Sequence, residues 1–160
     1  MDERIIAAAR ELLDICRRKG KKLAVAESCT GGMLAEVLTG IPGASDVFRL
    51  GGVSYCDEMK NQVLSVPQPL LEEYTAVSAP VAEAMASGVR TLAKADIALS
   101  TTGYAGPGGE ALVGLVYIGM ATASGAQSWQ CQFTGDREAV RRNAVYSALT
   151  TAILMEDDLL

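Results

Sequence analysis

A serine, a cysteine and a threonine follow a short apolar run near the start of the chain. Residues 23–26 are apolar, and the next six are Glu27, Ser28, Cys29, Thr30, Gly31 and Gly32. A helical pattern comes next, which predicts a strand that runs into a helix N-terminus, where free N–H groups favour an anion. A nucleophile there would have donors beside it for a developing oxyanion. Ser28 is therefore the leading nucleophile candidate, with an N-cap role as the alternative.

The general base cannot be histidine, because the 160-residue chain contains none. A serine nucleophile then needs a lysine held neutral by burial or by neighbouring cations. Lys60 is the best candidate, and Tyr55, five residues earlier, could relay a proton or orient the lysine. A solvated lysine and a half-buried strand tyrosine are the alternatives. Cys29 is a rival nucleophile because a helix N-terminus lowers the pKa of a thiol.

Predicted strands alternate with predicted helices along the chain. Apolar spacing predicts helices over about residues 5–16 and 30–38, short helical pieces over 57–74, and helices capped by Ser78 and Asp136. Strands are predicted to end near Ala26 and to cover residues 47–55, 97–101, 113–122 and 128–133. This order predicts one α/β domain over residues 1–160, with a mixed, mostly parallel sheet of about five strands between helices.

Ligands of such folds bind at the carboxyl ends of strands. Ser28, Tyr55 and Thr102 each lie at or near a predicted strand end, which predicts a single site. Thr102 also opens a glycine-rich loop, residues 103–109, whose backbone N–H groups could face a phosphate or carboxylate. A tight connection is the alternative role for that loop. The acidic residues are dispersed, so no metal site is expected.

Three arginines, Arg137, Arg141 and Arg142, place positive charge in the first turns of the last helix. This position is slightly unfavourable for cations, so an anionic partner is one explanation and a solvated basic face is the other. The whole chain carries a net charge of −5. That balance argues against nucleic-acid binding.

No apolar run is long enough to span a bilayer, and the opening residues do not resemble a signal peptide. The 4 cysteines are scattered, which predicts reduced thiols in a cytoplasmic protein without membrane association. An apolar C-terminal segment, residues 152–155 with Leu159 and Leu160, could either form a homodimer surface or pack on the chain's own core.

Five segments together resemble the CinA C-terminal domain family. They are residues 26–32, Tyr55 with Lys60, residues 76–81, residues 102–107, and residues 135–142, in family order over nearly the whole chain. The resemblance implies a three-layer α/β/α sandwich without a cofactor, and hydrolysis of the carboxamide of nicotinamide mononucleotide to nicotinate mononucleotide and ammonia. It implies Ser28 as nucleophile, Lys60 as general base and Tyr55 as a supporting hydroxyl. Its implied substrate contacts are Thr30, Gly31, Gly32, Thr102, Gly103, Gly106 and Arg142.

One segment departs from the family pattern. After Gly109 the family usually has several extra residues and a Lys-Pro, whereas here Glu110, Ala111 and Leu112 lead straight to Val113. The catalytic trio is unaffected, but the substrate could be another small amide. A third hypothesis is a non-catalytic module that binds a nucleotide or a protein in competence or the DNA-damage response.

Overall fold

The computed structural model describes residues 2–108 and 112–159. Its helices are α1 (Glu3–Lys19), α2 (Met33–Thr39), α3 (Asp57–Leu64), α4 (Gln68–Tyr74), α5 (Ala79–Ala93) and α6 (Arg137–Leu154). Its strands are β1 (Leu23–Glu27), β2 (Phe48–Val53), β3 (Ile97–Gly103), β4 (Leu115–Thr122) and β5 (Gly125–Gln132). Two short 3₁₀ helices, Ala44–Asp46 and Glu156–Leu159, complete the described elements.

The five strands form one mixed sheet in the order β2-β1-β3-β4-β5. Strand β1 is parallel to both neighbours, β2 and β3, whereas β4 and β5 add as an antiparallel pair beside β3. Every residue of β1 is buried, as expected for the central strand of a parallel core covered on both faces. The predicted mixed α/β sheet is confirmed.

Two separate cores show that helices cover both faces of the sheet. Helices α1, α2 and α6 contact one another over one core, which contains Leu12, Leu34 and Val145. Helix α5, with α3 and α4 against it, covers the opposite core around Met85. The architecture is therefore the three-layer α/β/α sandwich.

Local chemistry explains where several elements begin and end. Helix α5 begins after Ser78, whose side chain accepts from Val81 N, and α6 begins after Asp136, whose side chain accepts from Ala139 N. Helix α2 begins at Met33, three residues later than predicted, because Gly31 and Gly32 adopt left-handed backbone conformations with φ of 59° and 102°. Residues 28–32 therefore form a turn, which we call the nucleophile turn after Ser28, the predicted nucleophile.

Gly51 of β2 has a packing reason. A Cβ on Gly51 would lie 2.7 Å from the Cβ of Ala35 in α2. The pairing of β1 with β2 also shifts register after Leu23, where Arg49 is skipped. The missing side chain at Gly51 lets α2 pack closely against β2.

Residues 152–155 of the C-terminal segment pack largely on the chain's own core. Ala152 is fully buried, and Ile153 and Met155 pack partly against the first core, while Leu154 is exposed. Leu160 lies outside the described residues. Within the described part of the chain, no helix combines the length and the apolar character needed to cross a membrane.

Candidate active site

The nucleophile turn lies at the carboxyl end of β1. Ser28 N–H donates to Thr101 O on β3 at 3.0 Å, and Ser54 N–H after β2 donates to Glu27 O at 2.9 Å. Ser28 is therefore held between the ends of two neighbouring strands, and 8% of its surface is exposed. Because Gly32 is the N-cap of α2, Ser28 does not have the capping role that was its alternative.

Helix α3 brings Lys60 beneath this turn. Lys60 Nζ lies 2.9 Å from Ser28 Oγ and donates to Ser54 O at 2.9 Å. The lysine is 1% exposed, and in the described residues no carboxylate lies within ion-pair distance of it. Burial lowers the pKa of Lys60, although Asp57 on the same helix opposes the shift. A neutral amine has a lone pair, so it can accept the Ser28 proton while still donating to Ser54 O.

Glu27 is a buried carboxylate that sequence reasoning left without a role. Its two oxygens accept from Thr30 Oγ1 at 2.5 Å, Leu34 N at 2.9 Å and Ala35 N at 3.0 Å. Thr30 Oγ1 also lies 2.7 Å from Thr101 Oγ1. The anion favoured by the N-terminus of α2 is therefore the chain's own Glu27. The sequence carried one signal for this role, namely an acidic residue directly after the apolar run of residues 23–26.

The nucleophile turn offers a small set of backbone donors. Gly31 N–H donates to Ser28 O at 3.0 Å, so it is occupied. Among the described residues, the N–H groups of Cys29, Thr30 and Gly32 have no hydrogen-bond partner. The donors that can meet an oxyanion therefore belong to the turn itself, not to helix α2.

Cys29 has the wrong environment for a thiolate nucleophile. Its residue surface is 5% exposed, and it packs in the first core. Burial raises the pKa of the Cys29 thiol to about 12, with the charge of Glu27 acting in the same direction. Because the thiolate is the reactive form, the geometry favours Ser28 over Cys29.

A polar pocket of about 180 Å³ opens beside the nucleophile turn. Its lining residues are Cys29, Tyr55, Gly103, Tyr104, Ala105, Gly106, Pro107 and Arg137. Arg137 donates from Nη1 to Gly106 O at 2.6 Å and from Nη2 to Tyr55 OH at 3.0 Å. Tyr55 is 60% exposed, so its hydroxyl lies at the pocket wall with Arg137 and is not bonded to Lys60 or Ser28. Arg137 was noted in the sequence only as part of a basic cluster.

Among the other predicted substrate contacts, Thr102 is buried, whereas Gly103 and Gly106 line the polar pocket. Thr102 is 1% exposed and donates its hydroxyl to Ala76 O at 2.8 Å, which ties β3 to the segment before α5. A Cβ on Gly103 would lie 2.7 Å from Leu115 O, and Gly106 has a φ of 76°, so both need glycine to form the pocket wall. Gly109, Glu110 and Ala111, where the sequence departs from the family pattern, lie outside the described residues.

The structure separates the three arginines of α6. Arg141 donates to Cys29 O at 3.2 Å and to Thr30 O at 3.0 Å. Arg142 instead lies 3.7 Å from Glu138 and lines a different pocket with Asp2, Met33 and Glu36. The structure thus brings Arg137 and Arg141 to the Ser28 region and does not bring Arg142 there. The described residues hold no metal-binding group of three or more His, Cys, Asp or Glu side chains.

The fold and the site together define a class: a three-layer α/β/α domain with a buried lysine in hydrogen-bond contact with a serine at the carboxyl edge of its sheet. The family model described as "CinA C-terminal domain" matches residues 6–155. The chain belongs to the CinA C-terminal domain family.

Relatives and solved structures agree with this assignment. The chain is 48% identical over 134 residues to a CinA-like protein of Anaeromyxobacter sp. (strain Fw109-5), covering 82% of this chain and 33% of that protein. It is 45% identical over 153 residues to a CinA-like protein of Geobacter sp. (strain M21), covering 91% and 37%. The chain thus spans about a third of the length of these curated relatives.

Among solved structures, the competence/damage inducible protein CihA from Agrobacterium tumefaciens superposes with a TM-score of 0.93 at 32% identity, covering 97% of each chain. A competence-damaged protein (CinA) superfamily protein from Escherichia coli has a TM-score of 0.92 at 33% identity, covering 97% of this chain and 92% of that one.

Proposed function

We propose that this chain hydrolyses the carboxamide of nicotinamide mononucleotide to nicotinate mononucleotide and ammonia. The observation that carries the proposal is Lys60 Nζ, buried without a carboxylate partner among the described residues and 2.9 Å from Ser28 Oγ. A buried amine is costly to fold, so a role as general base accounts for its presence. Family membership supports the substrate class, since the resemblance implies amide hydrolysis.

The chemistry is acyl transfer through Ser28. Neutral Lys60 takes the Ser28 Oγ–H proton while Oγ bonds to the amide carbon, and the carbonyl electrons move to oxygen. As the oxyanion collapses, the C–N bond breaks and Lys60 returns its proton to the leaving nitrogen, which departs as ammonia. Water then attacks the ester with Lys60 as base, Ser28 Oγ regains a proton, and the carboxylic acid product leaves.

The free donors of the nucleophile turn suit the oxyanion. The Cys29 and Thr30 N–H groups follow Ser28 directly and have no partner in the described residues. Preorganised donors of this kind each contribute about 3–4 kcal/mol to the transition state. Gly31 N–H is already occupied by Ser28 O, so we assign it no direct part.

The polar pocket suits the charged part of the substrate. Arg137 uses two guanidinium nitrogens on Gly106 O and Tyr55 OH, and a guanidinium has five N–H donors. Its remaining donors can meet a phosphate at the pocket mouth. The pocket's volume of about 180 Å³ is below the ~300 Å³ of typical small-ligand sites, so we expect it to hold one part of the nucleotide.

The test is ammonia release from nicotinamide mononucleotide by the wild type, Ser28→Ala and Lys60→Met. Lys22→Met is the control, because exposed Lys22 also donates from Nζ to a backbone carbonyl, Asp46 O, and it lies before the first residue of β1 whereas Ser28 follows the last. We expect turnover in the wild type and the control and its loss in both site variants. Activity that survives Ser28→Ala would refute the mechanism and redirect attention to Cys29.

A substrate panel separates the remaining hypotheses. Turnover of a simpler amide but not of the nucleotide would identify an amidase with another substrate. A folded wild type that releases no ammonia from any amide would favour the binding module.

The pH dependence gives a second test of Lys60. Protonated Lys60 cannot accept the Ser28 proton, so kcat/KM should rise as pH rises through the pKa of Lys60. Because burial lowers that pKa, the rise should be centred below the ordinary lysine value of 10.5. A profile that shows no rising limb below that value would contradict the role of Lys60.

A further inference from the structure

Arg141 reaches from α6 to two consecutive carbonyls of the nucleophile turn. Nε donates to Cys29 O at 3.2 Å, and Nη2 donates to Thr30 O at 3.0 Å. The side chain is partly buried, and within the described residues it forms no ion pair with a carboxylate. A guanidinium group is a permanent cation in proteins. A permanent cation therefore contacts the backbone just after Ser28.

Those two hydrogen bonds determine where the neighbouring N–H groups point. In a trans peptide, the N–H of one residue points opposite to the carbonyl of the residue before it. Because Cys29 O faces Arg141, Thr30 N–H points away from the arginine, and it has no partner in the described residues.

The same rule extends one peptide in each direction along the turn. Because Thr30 O faces Arg141, Gly31 N–H also points away, and it donates to Ser28 O at 3.0 Å. Ser28 O and Cys29 N–H belong to the same peptide, so a fixed Ser28 O also fixes the direction of Cys29 N–H. The orientation of the free Cys29 and Thr30 N–H groups thus depends on Arg141.

We propose that Arg141 is a positioning residue that holds the nucleophile turn so that the Cys29 and Thr30 N–H groups are ready to meet an oxyanion. This inference rests on the proposed function, because only a nucleophilic Ser28 creates that oxyanion. Glu27 fixes the same turn from the side of α2 through Thr30 Oγ1. Arg141 supplies the complementary constraint on the backbone carbonyls.

A purely structural role for Arg141 makes a different prediction. If it only ties α6 to the turn, its loss lowers the fraction of folded protein and leaves each folded molecule fully active. If it orients the donors, its loss slows the chemical step in every folded molecule. Misplacement by about 1 Å reduces rates on the order of a hundredfold.

The experiment compares Arg141→Met and Arg141→Lys with the wild type, using Arg90→Met as the matched control. Arg90 is also a partly buried helical arginine whose Nε donates to a backbone carbonyl, Asp96 O at 3.1 Å. Two readouts are taken: kcat and KM for ammonia release, and the rate and final extent of Ser28 labelling by a small fluorophosphonate, followed by intact mass. In the labelling step Oγ bonds to phosphorus, its proton passes to Lys60, the P–F bond breaks and fluoride leaves, so no amide substrate is required.

We expect Arg141→Met to lower kcat about a hundredfold with KM within threefold of the wild type. Labelling should slow to a similar degree but reach the same final extent. Arg141→Lys should recover part of the rate, and Arg90→Met should match the wild type. The proposal is overturned if Arg141→Met behaves like Arg90→Met, or if it lowers only the labelled fraction.

The labelling readout separates this proposal from the proposed substrate. If the wild type releases no ammonia but Ser28 is labelled, the substrate assignment fails and the labelling rates still decide the role of Arg141. If Ser28 is neither acylated nor labelled in the folded wild type, both proposals fail.

Discussion

Replacing Glu27 by glutamine removes the charge of a fully buried carboxylate that accepts three hydrogen bonds. The glutamine keeps one acceptor oxygen but turns an NH2 group toward Leu34 N–H or Ala35 N–H, which are themselves donors. One charge-assisted bond is lost and one buried N–H is left unpaired, which together cost about 2–4 kcal/mol of unfolding free energy. For a domain of this length that corresponds to a fall in Tm of about 5–15 °C.

The measurement is urea denaturation and calorimetry of Glu27→Gln beside Glu36→Gln. Glu36 lies in the first turn of the same helix, is exposed, and has no side-chain hydrogen bond to the described residues. Its substitution should change stability by no more than about 0.5 kcal/mol. If the two variants were equally stable, the argument that Glu27 satisfies the N-terminus of α2 would be wrong.

Three further predictions concern local geometry. Thr75→Gly should raise the free energy of unfolding by about 0.5–2 kcal/mol. Thr75 has φ 66° and ψ 169°, a backbone conformation that strains a β-branched residue. Glycine removes this strain, and its greater flexibility in the unfolded chain offsets only part of the gain. Gly88→Ala should lower stability by at least about 3 kcal/mol, because a Cβ there would lie 1.8 Å from Leu64 O. In native protein, a thiol reagent should modify exposed Cys56 and leave Cys29 unmodified, since burial raises the pKa of Cys29 to about 12.

Each of these has a control and a contradicting result. Gly52→Ala is the control for Gly88→Ala, since a Cβ on Gly52 meets no atom within 4 Å. If both variants lost the same stability, the contact between position 88 and Leu64 O would not be the cause of the loss. Urea curves for Thr75→Gly that match or fall below the wild type would remove the strain argument. Peptide mapping that finds Cys29 modified before global unfolding would mean that its thiol is accessible.

Most of the fold could be predicted from the sequence, because its signals are local. Helical spacing, the Ser78 and Asp136 caps and the apolar strand before Ser28 depend on neighbouring residues. The alternation of helices and strands leaves few topologies, which is why the mixed sheet with helices on both faces was predictable. The start of α2 was placed too early because positive φ at Gly31 and Gly32 is not visible in apolar spacing.

For the candidate site, the residue types available for catalysis can be read directly from the sequence. Without histidine, a serine nucleophile required a lysine, and the ends of the predicted strands indicated one shared edge. The burial of Lys60 and its 2.9 Å distance from Ser28 Oγ arise from the folding of the chain, because that contact joins residues 32 positions apart.

The tertiary structure also divided the three arginines among different tasks. Arg141 and Arg142 are adjacent in the chain, yet one contacts the nucleophile turn and the other lies near Glu138. Successive helical residues point about 100° apart, so the direction of each depends on how α6 is rotated against the sheet. That rotation is set by packing over the whole core, so it cannot be predicted from the local pattern of charges. The same holds for Glu27, whose acceptors are satisfied by a helix that begins six residues later.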